Sequence, residues 1–232
     1  METNTYLIAG ASSGIGLQLA KQLIAHGNRV IGMSRTPGEL ESHAHYRFVA
    51  HDFSTNAALP EITEPLAGLV YCPGSINLKG LQQIRETDIT RDLQLNVVAS
   101  FLFVQQYSSN LKEAVNPSVV LFSSVAATIG LPYHVVVSVS KAAVEGMTRA
   151  LAAELAPRVR VNCIAPSLTD TPLAAQLLNS DAKRTANSDR HPLKKIGTVT
   201  DIANTALFLL RDAHWMTGQV LGINGGLGTI QK

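Results

Sequence analysis

Charge is scarce in this chain: only 16% of its 232 residues are Asp, Glu, Lys or Arg, against 46% hydrophobic. That ratio excludes an intrinsically disordered segment and leaves enough apolar material for one large core. The length suits one α/β domain over residues 1–232 and is awkward for two. The formal net charge is only +2 and the basic residues are scattered, so no nucleic-acid partner is expected. The mild basic cluster from Arg190 to Lys195 is broken by His191 and Pro192 and reads as a solvated loop. Cysteine is nearly absent. Cys72 and Cys163 each sit in an apolar run at no metal-ligand spacing, so they read as small buried hydrophobes and no metal is expected. No apolar run reaches the ~18–20 residues that span a bilayer, and no membrane partner is expected. The opening Met1-Glu-Thr-Asn-Thr has no basic region followed by an apolar core, which reads as no signal peptide and a reducing, cytoplasmic location.

What is present is a regular alternation of short apolar runs with amphipathic stretches. Strands are expected at Tyr6–Ala9, Arg29–Met33, Tyr46–Ala50, Gly68–Cys72, Ser118–Phe122, Val159–Ile164 and Gln219–Ile223. Helices are expected over Ile15–His26, Asp88–Lys112, Val137–Leu155 and Asp201–Arg211, with Gly27 and Pro157 as stops. Strands buried on both faces and alternating with helices predict an α/β fold, a Rossmann-type doubly wound parallel sheet of about seven strands. The least regular stretch, Thr169–Gly197, is the candidate for a mobile substrate lid.

Between the first strand and first helix lies Gly10-Ala-Ser12-Ser13-Gly14-Ile15-Gly16. In that position a glycine pattern predicts a dinucleotide loop. Gly10 allows the sharp turn, Gly14 lets backbone approach a pyrophosphate, and Gly16 allows close helix–sheet packing. The helix N-terminus then holds the phosphates. The second strand ends Ser34-Arg35-Thr36, where an NAD site would carry an acid for the ribose 2′-hydroxyl. A guanidinium beside two hydroxyls suits a 2′-phosphate instead, so NADP(H) is expected over NAD(H). Ser13 is not basic, and the phosphate clamp therefore rests on Arg35.

With these residues in place the sequence resembles a short-chain dehydrogenase/reductase along nearly its whole length, most closely the 3-oxoacyl-acyl-carrier-protein reductase branch. Asp52, in His51-Asp52-Phe53, matches the family's adenine-contacting acid. Asn96 matches the active-site asparagine, Ser124 the serine after the fifth strand, and Lys141, in Ser138-Val-Ser-Lys141-Ala-Ala143, the active-site lysine. Val161-Asn-Cys-Ile-Ala-Pro166 precedes the nicotinamide loop, which implies cofactor contacts at Pro166, Leu168, Thr169 and Thr171. Thr217-Gly-Gln-Val220 and Asn224-Gly-Gly226 match the C-terminal signature.

Three departures stand out. The family's Asn-Asn-Ala-Gly is Tyr71-Cys72-Pro73-Gly74, keeping only Gly74, and its Pro-Gly is Pro166-Ser167. The position four residues before Lys141 and thirteen after Ser124, where the family carries its catalytic tyrosine, is Val137. In the family mechanism the lysine lowers the phenol's pKa and holds the ribose, the serine polarises the carbonyl, and the asparagine holds a relay water. Val137 can neither donate nor accept a proton, and losing a positioned general acid typically costs ~10²–10⁴ in rate. Tyr133 and His134 are candidate replacements: extended, they would lie ~10–13 Å from Val137, and only a loop that folds back brings them within reach.

The resemblance implies an NADP(H)-dependent oxidoreductase acting on a small-molecule carbonyl or alcohol with an atypical proton donor. The alternative is a noncatalytic NADP(H)-binding protein with a scaffold or sensing role; a non-redox lyase or isomerase is a third. Small residues at Ala142, Ala143, Gly146, Ala150, Ala152 and Ala153 suit close helix packing, and the resemblance implies a homotetramer or homodimer.

Overall fold

In the computed structural model, which describes residues 3–230, the apolar runs form seven strands. They are β1 (Thr5–Ala9), β2 (Arg29–Ser34), β3 (Tyr46–Ala50), β4 (Gly68–Tyr71), β5 (Ser118–Phe122), β6 (Arg160–Pro166) and β7 (Val220–Ile223). All neighbours pair in parallel, in the order β3-β2-β1-β4-β5-β6-β7. Such strands need apolar cover on both faces. Leu7 and Ala9 enter one core with Met33, Leu69, Val119 and Cys163, while Tyr6 and Ile8 enter the other with Val30, Val70, Val120 and Ile164. Each large side chain so buried contributes about 1.5–3 kcal/mol.

Among the described residues there are six helices: α1 (Gly14–Ala25), α2 (Glu86–Leu93), α3 (Ala99–Tyr107), α4 (Val135–Leu155), α5 (Asp181–Asp189) and α6 (Val199–Arg211). Leu19 and Leu23 of α1 pack with Ile202 and Leu209 of α6 on one face of the sheet; Phe103 and Tyr107 of α3 pack with Val144 and Leu151 of α4 on the other. Among the described residues no helix is long and apolar enough to cross a membrane.

The expected single helix over 88–112 is broken. A π-turn, Gln94–Val98, separates α2 from α3, and a 3₁₀ turn, Ser108–Leu111, follows α3. Ser100 Oγ donates to the carbonyls of Asn96 (2.7 Å) and Val97 (2.9 Å), giving those oxygens a side-chain partner where the helical ladder is interrupted. The stretch 169–197 is also more ordered than its sequence suggests. Thr171 caps a 3₁₀ turn (Pro172–Leu177), Ser180 caps α5, Arg184 pairs with Asp170 at 2.8 Å, and a bridge from Thr169 to Gly197 closes the excursion.

The strand order reverses between β1 and β4, so the loops leaving their C-terminal ends diverge and open a crevice. Gly10 leaves β1 there and Gly74 follows β4; Ser124 follows β5 and Ser167 follows β6 along the same edge.

Candidate functional site

The crevice begins with Gly10, which turns at φ +76° while its N–H donates to Met33 O at 2.7 Å. Gly14 also has positive φ, at +56°. A Cβ on Gly16 would stand 2.3 Å from Gly10 O, so loop and helix touch backbone to backbone. Ser13 caps α1 without a side-chain hydrogen bond, and no acid occupies the first turn. The positive end of α1 is thus left free to meet an anion, and the residues present fit a pyrophosphate.

Ser12, Ile15, Ser34, Arg35, Asp52, Phe53, Gly74 and Thr171 line this part of the crevice with the three glycines and Ser13. Ser34 is buried, and its Oγ donates to Thr36 O at 2.8 Å. Arg35 takes part in none of the ion pairs formed among the described residues. Asp52 Oδ1 accepts from Ser54 Oγ (2.7 Å) and Ser54 N (2.9 Å), and these bonds hold its carboxyl below the usual range, with the Arg35 charge adding to them.

A second, more apolar cleft adjoins the first. Ser124, Val137, Lys141, Pro166, Leu168, Thr169 and Thr171 all line it. Ser124 caps a short 3₁₀ turn, its Oγ accepting from Ala126 N at 3.2 Å. Lys141 projects from α4 and its Nζ donates to Phe122 O at 3.0 Å. Burial pushes its pKa from 10.5 down to about 8, with the Asp92 charge acting the opposite way. Val137 lies one turn earlier on the same face of α4, buried at 6% exposure, so an aliphatic side chain stands in the cleft next to Lys141.

The two expected replacement donors separate. His134 is the N-cap of α4, its carbonyl accepts the first helical bond from Ser138 N at 2.8 Å, and it lines the cleft together with Val137. Tyr133 does not join it. It sits at φ +69°, 65% exposed, with its ring near Gly80 on the outer rim and its carbonyl accepting from Lys79 N. The left-handed backbone at 133 turns the phenol away from the cleft.

Asn96 lies one layer beneath the cleft surface, within the π-turn. Its Nδ2 donates to Asp92 O (3.0 Å) and Ser75 Oγ (3.1 Å), while its buried Oδ1 has no partner among the described residues and faces Gly74. Asp92, which the sequence reading passed over, is buried and accepts from Ser75 Oγ and from Ser140 Oγ (2.5 Å). Its signal was its place one helical turn before Asn96. His191 was missed as well. Arg190, Lys194 and Lys195 are exposed as a solvated loop requires, but His191 is 3% exposed, lines the cleft, and sets Nε2 2.8 Å from Ser167 Oγ.

Comparison with known proteins shows the family and the fold. The sequence profile of the family described as enoyl-(acyl carrier protein) reductase matches residues 10–228. The chain is 32% identical over 237 residues to an L-xylulose reductase of Caenorhabditis elegans, covering 95% of this chain and 94% of that one. It is 30% identical to the 3-oxoacyl-acyl-carrier-protein reductase of Aquifex aeolicus, covering 95% and 96%. Among solved structures, a short-chain dehydrogenase family protein from Francisella tularensis superposes with a TM-score of 0.87 at 26% identity, covering 99% of this chain and all of that one.

Proposed function

The chain belongs to the short-chain dehydrogenase/reductase family of oxidoreductases, and from that premise we propose that it is NADP(H)-dependent and interconverts a small carbonyl compound and its alcohol. The observation that carries this reading is the convergence of Ser124 and Lys141 on one apolar cleft continuous with the glycine loop. A bound nicotinamide supplies or accepts the hydride. Ser124 Oγ polarises the substrate oxygen, Lys141 Nζ holds the ribose hydroxyls, and Asn96, anchored by Asp92 and Ser75, supports the floor under Gly74. Leu168 and the apolar residues after it exclude water from the cleft.

Arg35 supports NADP(H). An exposed guanidinium facing the crevice matches a 2′-phosphate, and charge-assisted pairing of this kind is worth about 1.5–3 kcal/mol. Arg35→Ser is expected to weaken NADPH binding by roughly 10–100-fold and to leave NADH binding nearly unchanged, read by cofactor fluorescence titration. Equal losses for both cofactors would refute the assignment.

The direct test is NADPH consumption by the purified chain with a panel of ketoses and 3-oxoacyl thioesters, the classes named for its relatives. Ser124→Ala is expected to remove that turnover, and unchanged turnover would remove Ser124 from the reaction. Val137 favours one second reading, cofactor binding without chemistry. It would be supported by tight NADPH binding, no wild-type turnover, and activity gained in Val137→Tyr.

Self-association into a tetramer or dimer, in the cytoplasm, is part of the proposal. Val98 of the π-turn and Phe101 and Leu102 of α3 are exposed, as are Val139, Ala142, Gly146, Ala150 and Ala153 of α4. Ala152 does not belong to that set, because it is buried in the core of its own subunit.

A further inference from the structure

We infer that Ser167 and His191 form the proton relay of this site, doing what Val137 cannot. The inference rests on the oxidoreductase function proposed above. The cleft offers few groups able to move a proton. Lys141 Nζ is held on Phe122 O, and the hydroxyl of Ser75 is held by the buried Asp92 carboxylate. His134 is partly exposed, with Nδ1 on Pro132 O at 2.6 Å and no hydroxyl partner. His191 differs from all of these.

His191 Nδ1 lies 2.8 Å from the carbonyl of Asn187, so that nitrogen must carry a hydrogen. The tautomer is thereby set. In the neutral ring Nε2 has a lone pair and accepts the Ser167 hydroxyl at 2.8 Å. Asn187 is itself anchored, its Nδ2 donating to Leu177 O and Lys183 O. On the other side the ring packs against Gly225, where an added Cβ would come within 3.3 Å of Cδ2. The ring is therefore held in place and buried, and its free nitrogen reaches the cleft through Ser167, which lines that cleft with Ser124, Val137 and Lys141. Ser167 stands where the family has glycine, so the hydroxyl is an addition of this chain.

In the reducing direction His191 is charged and its Nε2–H donates to Ser167 Oγ, which turns the Ser167 O–H toward the cleft. As the substrate carbonyl carbon gains hydride from the reduced nicotinamide, its oxygen takes the Ser167 proton and Ser167 Oγ takes the Nε2 proton. The products are the alcohol, an intact serine and a neutral imidazole; the reduction consumes one solvent proton, which reaches Nε2 through the same hydroxyl and restores the charged ring. Oxidation runs these transfers backwards. The other titratable or charged side chains lining the cleft are Cys72, His134, Lys141 and Arg190; of these, Arg190 is contributed by the residue next to His191.

The test uses the full chain with NADPH and 2,3-butanedione. Ser167→Ala and His191→Gln are each expected to lower kcat by about 10²–10³-fold, with KM and NADPH affinity within about threefold of wild type. The pH profile of kcat should lose one limb, Ser167→Thr should retain most of the rate, and adding Val137→Tyr to either damaged variant should restore at least about tenfold. In the cofactor-free protein, nitrogen NMR should show Nε2 of His191 as the unprotonated nitrogen of the neutral ring, and Ser167→Ala should move that resonance. The inference is overturned by a kcat that survives both substitutions, by a loss that Val137→Tyr does not rescue, or by the opposite tautomer. It is equally overturned by a loss seen in His134→Gln and not in Ser167→Ala. Wild-type protein that binds NADPH and turns over neither the diketone nor any of the ketoses and 3-oxoacyl thioesters overturns the proposed function itself, and the relay with it.

Discussion

Lys141→Met is expected to stop turnover and to stabilise the fold. Lys141 is buried, its ammonium has one carbonyl partner, and burial pulls its pKa from 10.5 to about 8. A shift of that size is a folding cost of a few kcal/mol at neutral pH, since each unit corresponds to about 1.4 kcal/mol. The sign follows from proton counting. Between about 8 and 10.5 the unfolded chain binds the proton that the folded chain has released, so stability rises with pH across that window. The cost is absent above the window and complete below it. Methionine fills a similar volume without the charge, and replacing a poorly compensated buried ion by an apolar side chain often stabilises by about 1–3 kcal/mol. At about 2–4 °C per kcal/mol for a chain of this size, Tm at pH 7 should rise by several degrees. The advantage over wild type should shrink as pH climbs from 8 toward 10. Turnover should fall by at least about 100-fold, because the ribose loses its ammonium. Thermal melts at pH 7 and pH 10 alongside NADPH consumption read both effects. A variant less stable than wild type at pH 7 would show that Lys141 is compensated by contacts that outweigh its desolvation.

Gly16→Ala is expected to abolish cofactor binding. The added methyl would lie 2.3 Å from Gly10 O and 3.0 Å from Gly10 C, both backbone atoms that cannot rotate away. Relief requires α1 to move off the loop that follows β1. That movement displaces the N-terminal amides from the phosphate position, and misplacement of this kind removes their fixed geometry. The helix also carries Leu19 and Leu23 in the core against α6, so the shift strains packing and should destabilise the fold by about 1–3 kcal/mol. NADPH affinity should fall by more than about 100-fold, the loss of one or more charge-assisted backbone contacts. Fluorescence titration and a thermal melt measure the two effects. NADPH binding within threefold of wild type would mean that the phosphates do not sit on this loop.

The architecture was readable because its cause is periodic. The inner strands alternate between two buried cores, and a run such as Tyr6-Leu-Ile-Ala9 shows this without its neighbours. The glycine loop was readable because a strand-to-helix turn is local. Less survived where side chains compete for backbone: Ser100 bonding back to Asn96 and Val97 accompanies a π-turn that a hydrophobic pattern over 88–112 does not contain. The order within 169–197 was hidden for a related reason. It depends on caps at Thr171 and Ser180 and on a bridge between residues far apart in the chain.

The glycines, the lysine on its helix and the absence of a phenol at Val137 are properties of residue type at fixed spacing, and the sequence by itself determined them. Folding decided which proton-carrying groups meet. Tyr133, with its phenol, turns outward on a left-handed backbone, while His191, set among basic residues in an apparent solvated loop, is carried inward by the excursion after β6 to face Ser167. Residues 24 positions apart approach to 2.8 Å only when β6 and that excursion have closed, and no local rule of spacing encodes that distance.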